Sequence, residues 1–379
     1  MTTQASPVRE LRVGVLGGGT MGLSLAEWLA FAGIGVTLVS RREEARRSLL
    51  ESVEKFGARR ARLGHMGPDE RERRRRACVA TPAIEELADA QVVIECAAED
   101  LAVKREVFLS LDRICSERTL LASNTSSLRI SDIAAGVPRA GRIIGMHFFQ
   151  PVRFTRVTEV VPGNATSAEA SAQAIAFLRR VDKLPVVVKE TPGFLVNRMA
   201  GAYLAEAMHS AEEGAATTAE LDTALKTWGM GMGPFELADL IGLDLLQAIA
   251  RNMEAAYGPR FRPGPLLDEL VRAGRLGRKV GRGIYEYGAS GGGESRPPPP
   301  PAAPGGAGGA DVLARRIVDS LVEEARTCLR EGIASAEAID LAAVECLRMP
   351  RGPLEIAGLT AAATQDASAA RSGVRGPQP

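Results

Sequence analysis

The sequence predicts an α/β protein: a Rossmann-type doubly wound sheet, then an all-helical C-terminal domain, then a truncated helical repeat. Three observations carry this. Residues 11–190 alternate short apolar runs with helical stretches, which is the pattern of βαβ units and a parallel sheet. From Thr191 to about Tyr287 only helical patterns and short turns remain. Finally, EARTCLREGIASAEAIDLAA (324–343) and GPLEIAG (352–358) repeat EAMHSAEEGAATTAELDTAL (206–225) and GPFELAD (233–239), with one inserted residue. Glu206, Ala207, Glu213, Gly214, Ala216, Asp222, Ala224, Gly233, Pro234 and Glu236 have identical counterparts, so the second segment reads as a partial duplicate.

The elements come in this order. LRVGVLG is a strand ending in glycines, and Thr20–Ala32 has helical spacing broken by Gly33. GVTLVS is a β-branched strand, followed by charged helical sequence over about Glu43–Leu63 and Asp69–Arg76. CVAT, QVVIECA, RTLLAS and RIIGMHFF are further strands, with helical sequence such as VKREVFLSLDRIC between them. RVTEVV and KLPVVVKE extend the sheet. Thr191-Pro192-Gly193 predicts a helix start, with a hydroxyl cap and a proline whose missing N–H costs nothing there. Residues 288–310, GASGGGESRPPPPPAAPGGAGGA, offer nothing to a packed core and read as a disordered Gly/Pro linker. The expected organisation is therefore 1–190 an α/β domain, 191–287 a helical domain, 288–310 the linker, 311–358 the partial repeat and 359–379 a disordered tail.

Composition narrows the function. At roughly 100–200 residues per domain, 379 residues predict two domains and something smaller. Lys plus Arg (47) nearly balance Asp plus Glu (46), so no global charge points to nucleic acid. No run reaches 18 apolar residues and the N-terminus has no secretory pattern, so neither a membrane partner nor export is expected. Five scattered cysteines without CxxC spacing predict reduced thiols in a cytoplasmic protein, with no metal site.

Gly17-Gly18-Gly19-Thr20-Met21-Gly22 follows a strand and opens a helix, the context in which GxGxxG binds a dinucleotide. Gly17 permits the turn, Gly19 lets backbone approach a pyrophosphate, and Gly22 lets helix pack on strand. The N–H groups opening the helix at Thr20 and Met21 suit the phosphates. The second strand ends in Ser40-Arg41-Arg42, where an NAD site usually has Asp or Glu for the ribose 2′-OH. Serine does not repel a 2′-phosphate and two guanidiniums pair with one, so the cofactor is NAD(P), leaning to NADP. The plainer alternative leaves both arginines solvated and NAD bound.

Of three histidines, His65 falls in a loop and His209 inside a helix, while His147 ends an apolar strand, where ligands meet open α/β sheets. Glu159, twelve residues on, can return on the next strand to hold the imidazole as a base. Ser126 ends another strand, and Asn197 lies on the first helix of the second domain.

SNTSS, GMHFFQP, TEV, TPGFLVNR, MGMGPFELADLIGLD and LGRKVGRGIYEY, in this order, resemble the motifs of the L-3-hydroxyacyl-CoA dehydrogenases over residues 11–287. The resemblance implies that His147 takes the 3-hydroxyl proton while hydride leaves C3 for the nicotinamide, with Glu159 orienting the ring. It implies that Ser126 and Asn197 hold the substrate oxygen, and that Glu99, Lys104 and Lys279 contact the cofactor. Gln150 stands where the family usually has Asn, and Ser40 where it has Asp. The substrate implied is an acyl-CoA, expected to be short-chain. A hydroxyacyl group on an acyl carrier protein is the alternative, and a cofactor-binding protein without turnover is the reading of a different class. From Arg41 to Arg76, 13 Lys/Arg face 7 Asp/Glu. Such a basic arm suits the phosphates of CoA or of a carrier's phosphopantetheine, or is a solvated helix face. The resemblance also implies a homodimer through the helical domain, unless the repeat covers that face within one chain.

Overall fold

The computed structural model describes residues 11–287 and 307–359; most of the expected linker and all but one residue of the expected tail lie outside them. The chain forms two compact units that divide between Glu190 and Thr191.

The first unit is one eight-stranded sheet in the order β3-β2-β1-β4-β5-β6-β7-β8. The strands are β1 Arg12–Leu16, β2 Gly35–Val39, β3 Cys78–Thr81, β4 Val92–Glu95, β5 Leu120–Ser123, β6 Ile143–Phe148, β7 Val157–Pro162 and β8 Leu184–Val187. The first six are parallel in doubly wound order, β7 returns antiparallel to β6, and β8 runs parallel to β7. Strands such as VVIE and LLAS are buried at every position, as a sheet covered on both faces requires. The helices are α1 Thr20–Phe31, α2 Glu43–Arg62, α3 Pro68–Arg76, α4 Leu101–Ile114, α5 Ile130–Ala134 and α6 Ala168–Arg180. α1 drives Leu25, Ala26 and Leu29 into a core shared with Val13, Val15 and Leu38 of the sheet. Each fully buried leucine contributes on the order of 2 kcal/mol.

The second unit contains α7 Val196–Glu212, α8 Thr218–Trp228, α9 Pro234–Ile241, α10 Leu243–Tyr257 and α11 Pro265–Arg272, then α12 Ala307–Arg330, α13 Ala336–Cys346 and α14 Pro353–Ile356. Two expectations need correction. Thr191-Pro192-Gly193 does not begin a helix: Gly193 (φ 72°) and Phe194 (φ 51°) are both left-handed, which right-handed helix cannot tolerate, so α7 starts at Val196. Helix also reaches back into the expected linker, because α12 begins at Ala307, ahead of 311. The repeat itself is visible in the caps. Thr217 Oγ1 accepts from the Glu220 amide at 3.2 Å, and Ser335 Oγ accepts from the Ala338 amide at the same distance. Asp222 accepts from the Phe235 amide (3.0 Å), and Asp340 from the Leu354 amide (2.7 Å).

Candidate active site

The glycine turn is built by exclusion. A Cβ on Gly17 (φ 115°) would lie 2.4 Å from the Cys96 carbonyl oxygen, and one on Gly22 would lie 1.9 Å from the Gly17 carbonyl oxygen. Gly18 is held equally hard, since its Cβ would meet Ser40 Oγ at 2.2 Å. Gly19 faces open space, with nothing within 4 Å of a Cβ built there. Thr20, exposed, and Met21, half-buried, then open α1 with their amides at its N-terminus. The turn lines a cavity of about 750 Å³ together with Ser40, Arg41 and Arg42. Ser40 is buried and its Oγ accepts the Arg42 amide at 3.2 Å, while both arginine side chains are exposed. Open backbone at Gly19, a helix N-terminus and a roomy cavity fit a dinucleotide.

His147 and Glu159 are direct partners in the β6–β7 register. Opposed residues of an antiparallel pair project from the same face, so register alone brings the side chains together. His147 Nδ1 lies 2.6 Å from Glu159 Oε2, with the histidine 6% and the glutamate 0% exposed. A buried carboxylate at this distance favours a proton on Nδ1 and fixes the orientation of the ring. Phe149 packs its ring edge-on to the imidazole, centroids 4.4 Å apart.

Beside this pair the sequence concealed a polar network. Lys104 is 1% exposed, and its ammonium donates to Glu95 Oε1 (2.7 Å) and Oε2 (3.0 Å) and approaches Glu99 Oε2 at 3.3 Å. Glu95 further accepts the Ser123 hydroxyl and the Ala97 amide. Glu99 gathers the Thr125 and Ser127 hydroxyls and the Ser126 and Ser127 amides onto one oxygen. Burial pushes the Glu99 carboxyl up, but Lys104 and these bonds outweigh it and hold the group below the ordinary carboxylate range. Lys104 thus acts inside the protein, fixing the loops that carry Glu99 and Ser126. Glu95 escaped the sequence reading, its one signal being a carboxylate ending the apolar run VVIE, and Ser123 and Thr125 stood only inside the SNTSS motif, with no role assigned.

Gln150 is exposed, and its amide makes only long contacts, 3.5 Å to the Thr20 carbonyl and 3.5 Å from Ser24 Oγ, at the start of α1. Part of the arginine run is paired locally: Arg74 donates to Glu70 and to the Phe31 carbonyl, and Arg75 and Arg76 share Glu72. In the second unit, Asn197 is half-buried in the first turn of α7. Lys279 Nζ donates at 2.6 Å to both oxygens of Asp244, which holds that carboxyl below its ordinary range. Among the described residues no two cysteines form a disulfide, and no helix is long and apolar enough to cross a membrane.

Fold and turn define a dinucleotide-binding unit, followed in the chain by a helical unit. The family described as the 3-hydroxyacyl-CoA dehydrogenase NAD-binding domain matches residues 12–191, and its C-terminal domain matches 193–287 and 313–375. A probable 3-hydroxybutyryl-CoA dehydrogenase of Bacillus subtilis is 40% identical over 276 residues, covering 72% of this chain and 96% of that protein. The fatty acid oxidation complex subunit alpha of Shewanella loihica is 35% identical over 351 residues, 91% of this chain but 50% of that longer protein. The crystal structure of 3-hydroxybutyryl-CoA dehydrogenase from Escherichia coli K12 superposes with a TM-score of 0.81 at 29% identity, covering 93% of this chain and 92% of that one. The chain belongs to the 3-hydroxyacyl-CoA dehydrogenase family of oxidoreductases.

Proposed function

We propose that the protein interconverts short-chain L-3-hydroxyacyl-CoA and 3-oxoacyl-CoA. The observation that carries the reading is His147 set against buried Glu159 at 2.6 Å, at the end of a strand in a dinucleotide-binding sheet. Bound nicotinamide supplies the hydride acceptor for the C3 hydrogen. His147 Nε2 takes the proton of the 3-hydroxyl, while Glu159 holds the Nδ1 proton and stabilises the imidazolium that results. Ser126 and Asn197 hold the substrate oxygen, and Glu99 orders the loop that presents Ser126. Glu99, Lys104 and Lys279 serve the cofactor, the first two through the network around Glu95. In reduction, the imidazolium returns its proton to the developing alkoxide. The short-chain assignment leans on relatives named for 3-hydroxybutyryl-CoA.

A lean toward NADP rests on Ser40 where a ribose-binding carboxylate would repel a 2′-phosphate, and on exposed Arg41 and Arg42 beside the cavity. The test is the rate of acetoacetyl-CoA reduction with NADH and with NADPH, in the wild type and in His147→Ala. Turnover no faster than in His147→Ala overturns the enzyme reading, and a clear preference for NADH overturns the lean toward NADP. The same assay with acetoacetyl-carrier protein decides the acyl carrier. Light scattering of the eluted protein distinguishes monomer from homodimer.

A further inference from the structure

The two halves of the helical unit are locked by one constellation used twice. Arg198 Nε donates to Glu324 (2.6 Å), and its two terminal nitrogens donate to Glu331 at 2.6 and 3.1 Å. Arg316 Nε donates to Glu206 (2.5 Å), and its terminal nitrogens donate to Glu213 at 3.1 and 2.6 Å. The repeat offset of 118 residues that pairs Glu206 with Glu324 and Glu213 with Glu331 also pairs Arg198 with Arg316. Each half therefore grips the other with the same three residues, as two subunits do across a two-fold interface. Ser320 Oγ meets the carbonyl of Ala202, its own counterpart, at 3.3 Å, as expected near the axis of such an arrangement.

The copy keeps the clamp but not the substrate amide: Arg315 stands at the counterpart of Asn197. The clamp closes one residue from Asn197 itself. α7 there follows two left-handed residues, Gly193 and Phe194, and opens behind Leu195, which has no polar side chain to cap it. A bulky residue at positive φ persists only where its surroundings over-determine it. Arg198 supplies that from two sides. Its guanidinium is fully buried and held by both repeat carboxylates, and it stacks 4.0 Å from the Tyr257 ring centroid. The Tyr257 hydroxyl donates to the Pro192 carbonyl (2.9 Å), in the strained segment leading to α7.

We propose that Arg198 is a positioning residue: gripped by Glu324 and Glu331 of the repeat, it fixes the first turn of α7 and so the amide of Asn197. The inference rests on the substrate-holding role proposed for Asn197. A double-mutant cycle of Arg198→Met and Asn197→Ala tests it, with kcat and KM measured well below each variant's unfolding midpoint and NADH binding followed by fluorescence as a control. Displacing the amide by an ångström is expected to lower kcat about tenfold to a hundredfold. Arg198→Lys restores part of that loss, and NADH binding does not change. In the Asn197→Ala background, Arg198→Met costs no more than about a further twofold. Fully additive losses overturn the proposal and leave the role of Asn197 standing. Full activity in Asn197→Ala alone removes that role, and the proposal with it. Should Arg198→Met fail to fold, Glu324→Gln replaces it in the same cycle, with the same two overturning results.

Discussion

The two ends of the clamp in the helical unit use the same residue types in the same bonding pattern, yet they sit in different solvents. Arg198 is fully buried and Glu324 4% exposed, whereas their counterparts Arg316 and Glu206 are 42% and 25% exposed; the outer carboxylates, Glu331 and Glu213, are alike at 45% and 48%. The difference comes from the chain beyond each copy. The first copy continues into α10, which supplies Tyr257, and into the turn carrying Arg260, whose guanidinium also donates to Glu324 (2.8 Å). Among the described residues the repeat ends at Leu359 and offers nothing comparable over Arg316. Identical contacts therefore carry unequal free energy: loss of Arg198 leaves the buried Glu324 to the half-exposed Arg260 alone, while an exposed pair exchanges easily with water.

The comparison breaks first at Arg198. Removing its charge by Arg198→Met is expected to cost about 3–5 kcal/mol. Thermal denaturation at low and at high salt should show a large loss that persists at high salt, because salt does not reach the Arg198–Glu324 contact at the centre of the cluster. Next comes a buried acid of the first copy. Burial lifts the Asp222 carboxyl to about 6, against the bonds it accepts from Tyr285 and from the Phe235 and Glu236 amides. Its folded-state value lies above the unfolded one, so this stabilisation is complete below about pH 4 and is lost as pH rises through about 6. Urea unfolding across that window should show a falling contribution on the order of 2–3 kcal/mol, flattened in Asp222→Asn. A cap pair sharpens the contrast, since both members face water. Thr217→Ala and Ser335→Ala are each expected to cost about 1 kcal/mol, and clearly unequal losses would mean that more than burial separates the copies. The smallest effect belongs to Arg316→Ala, at most about 1 kcal/mol and fading at high salt. A loss there matching that of Arg198→Met would end the argument from burial.

Legibility in the sequence tracks the range of each interaction. The glycine turn was legible because Gly17 and Gly22 answer to close backbone, at Cys96 and within the turn itself. His147 and Glu159 were legible because a short antiparallel return sets their register. The bonds joining Glu95, Lys104 and Ser123 were not, although Lys104 was singled out, since the three come from separate elements and only the packed sheet joins them. The arginine run was legible as charge but not as pairing: Arg74 meets Glu70, and Arg75 and Arg76 share Glu72, on one helix turn apiece.

The sequence by itself determined the order of strands and helices, the dinucleotide turn, the duplication and the pairing of one imidazole with one carboxylate. All of these depend on periodicity, on backbone sterics or on partners close along the chain. Only the tertiary structure decided which charges are buried, that Lys104 turns inward, and that Arg198 and Arg316 reach across to each other's glutamates. Burial belongs to the assembled elements, and two arginines spelled the same way end one sealed from water and the other in it.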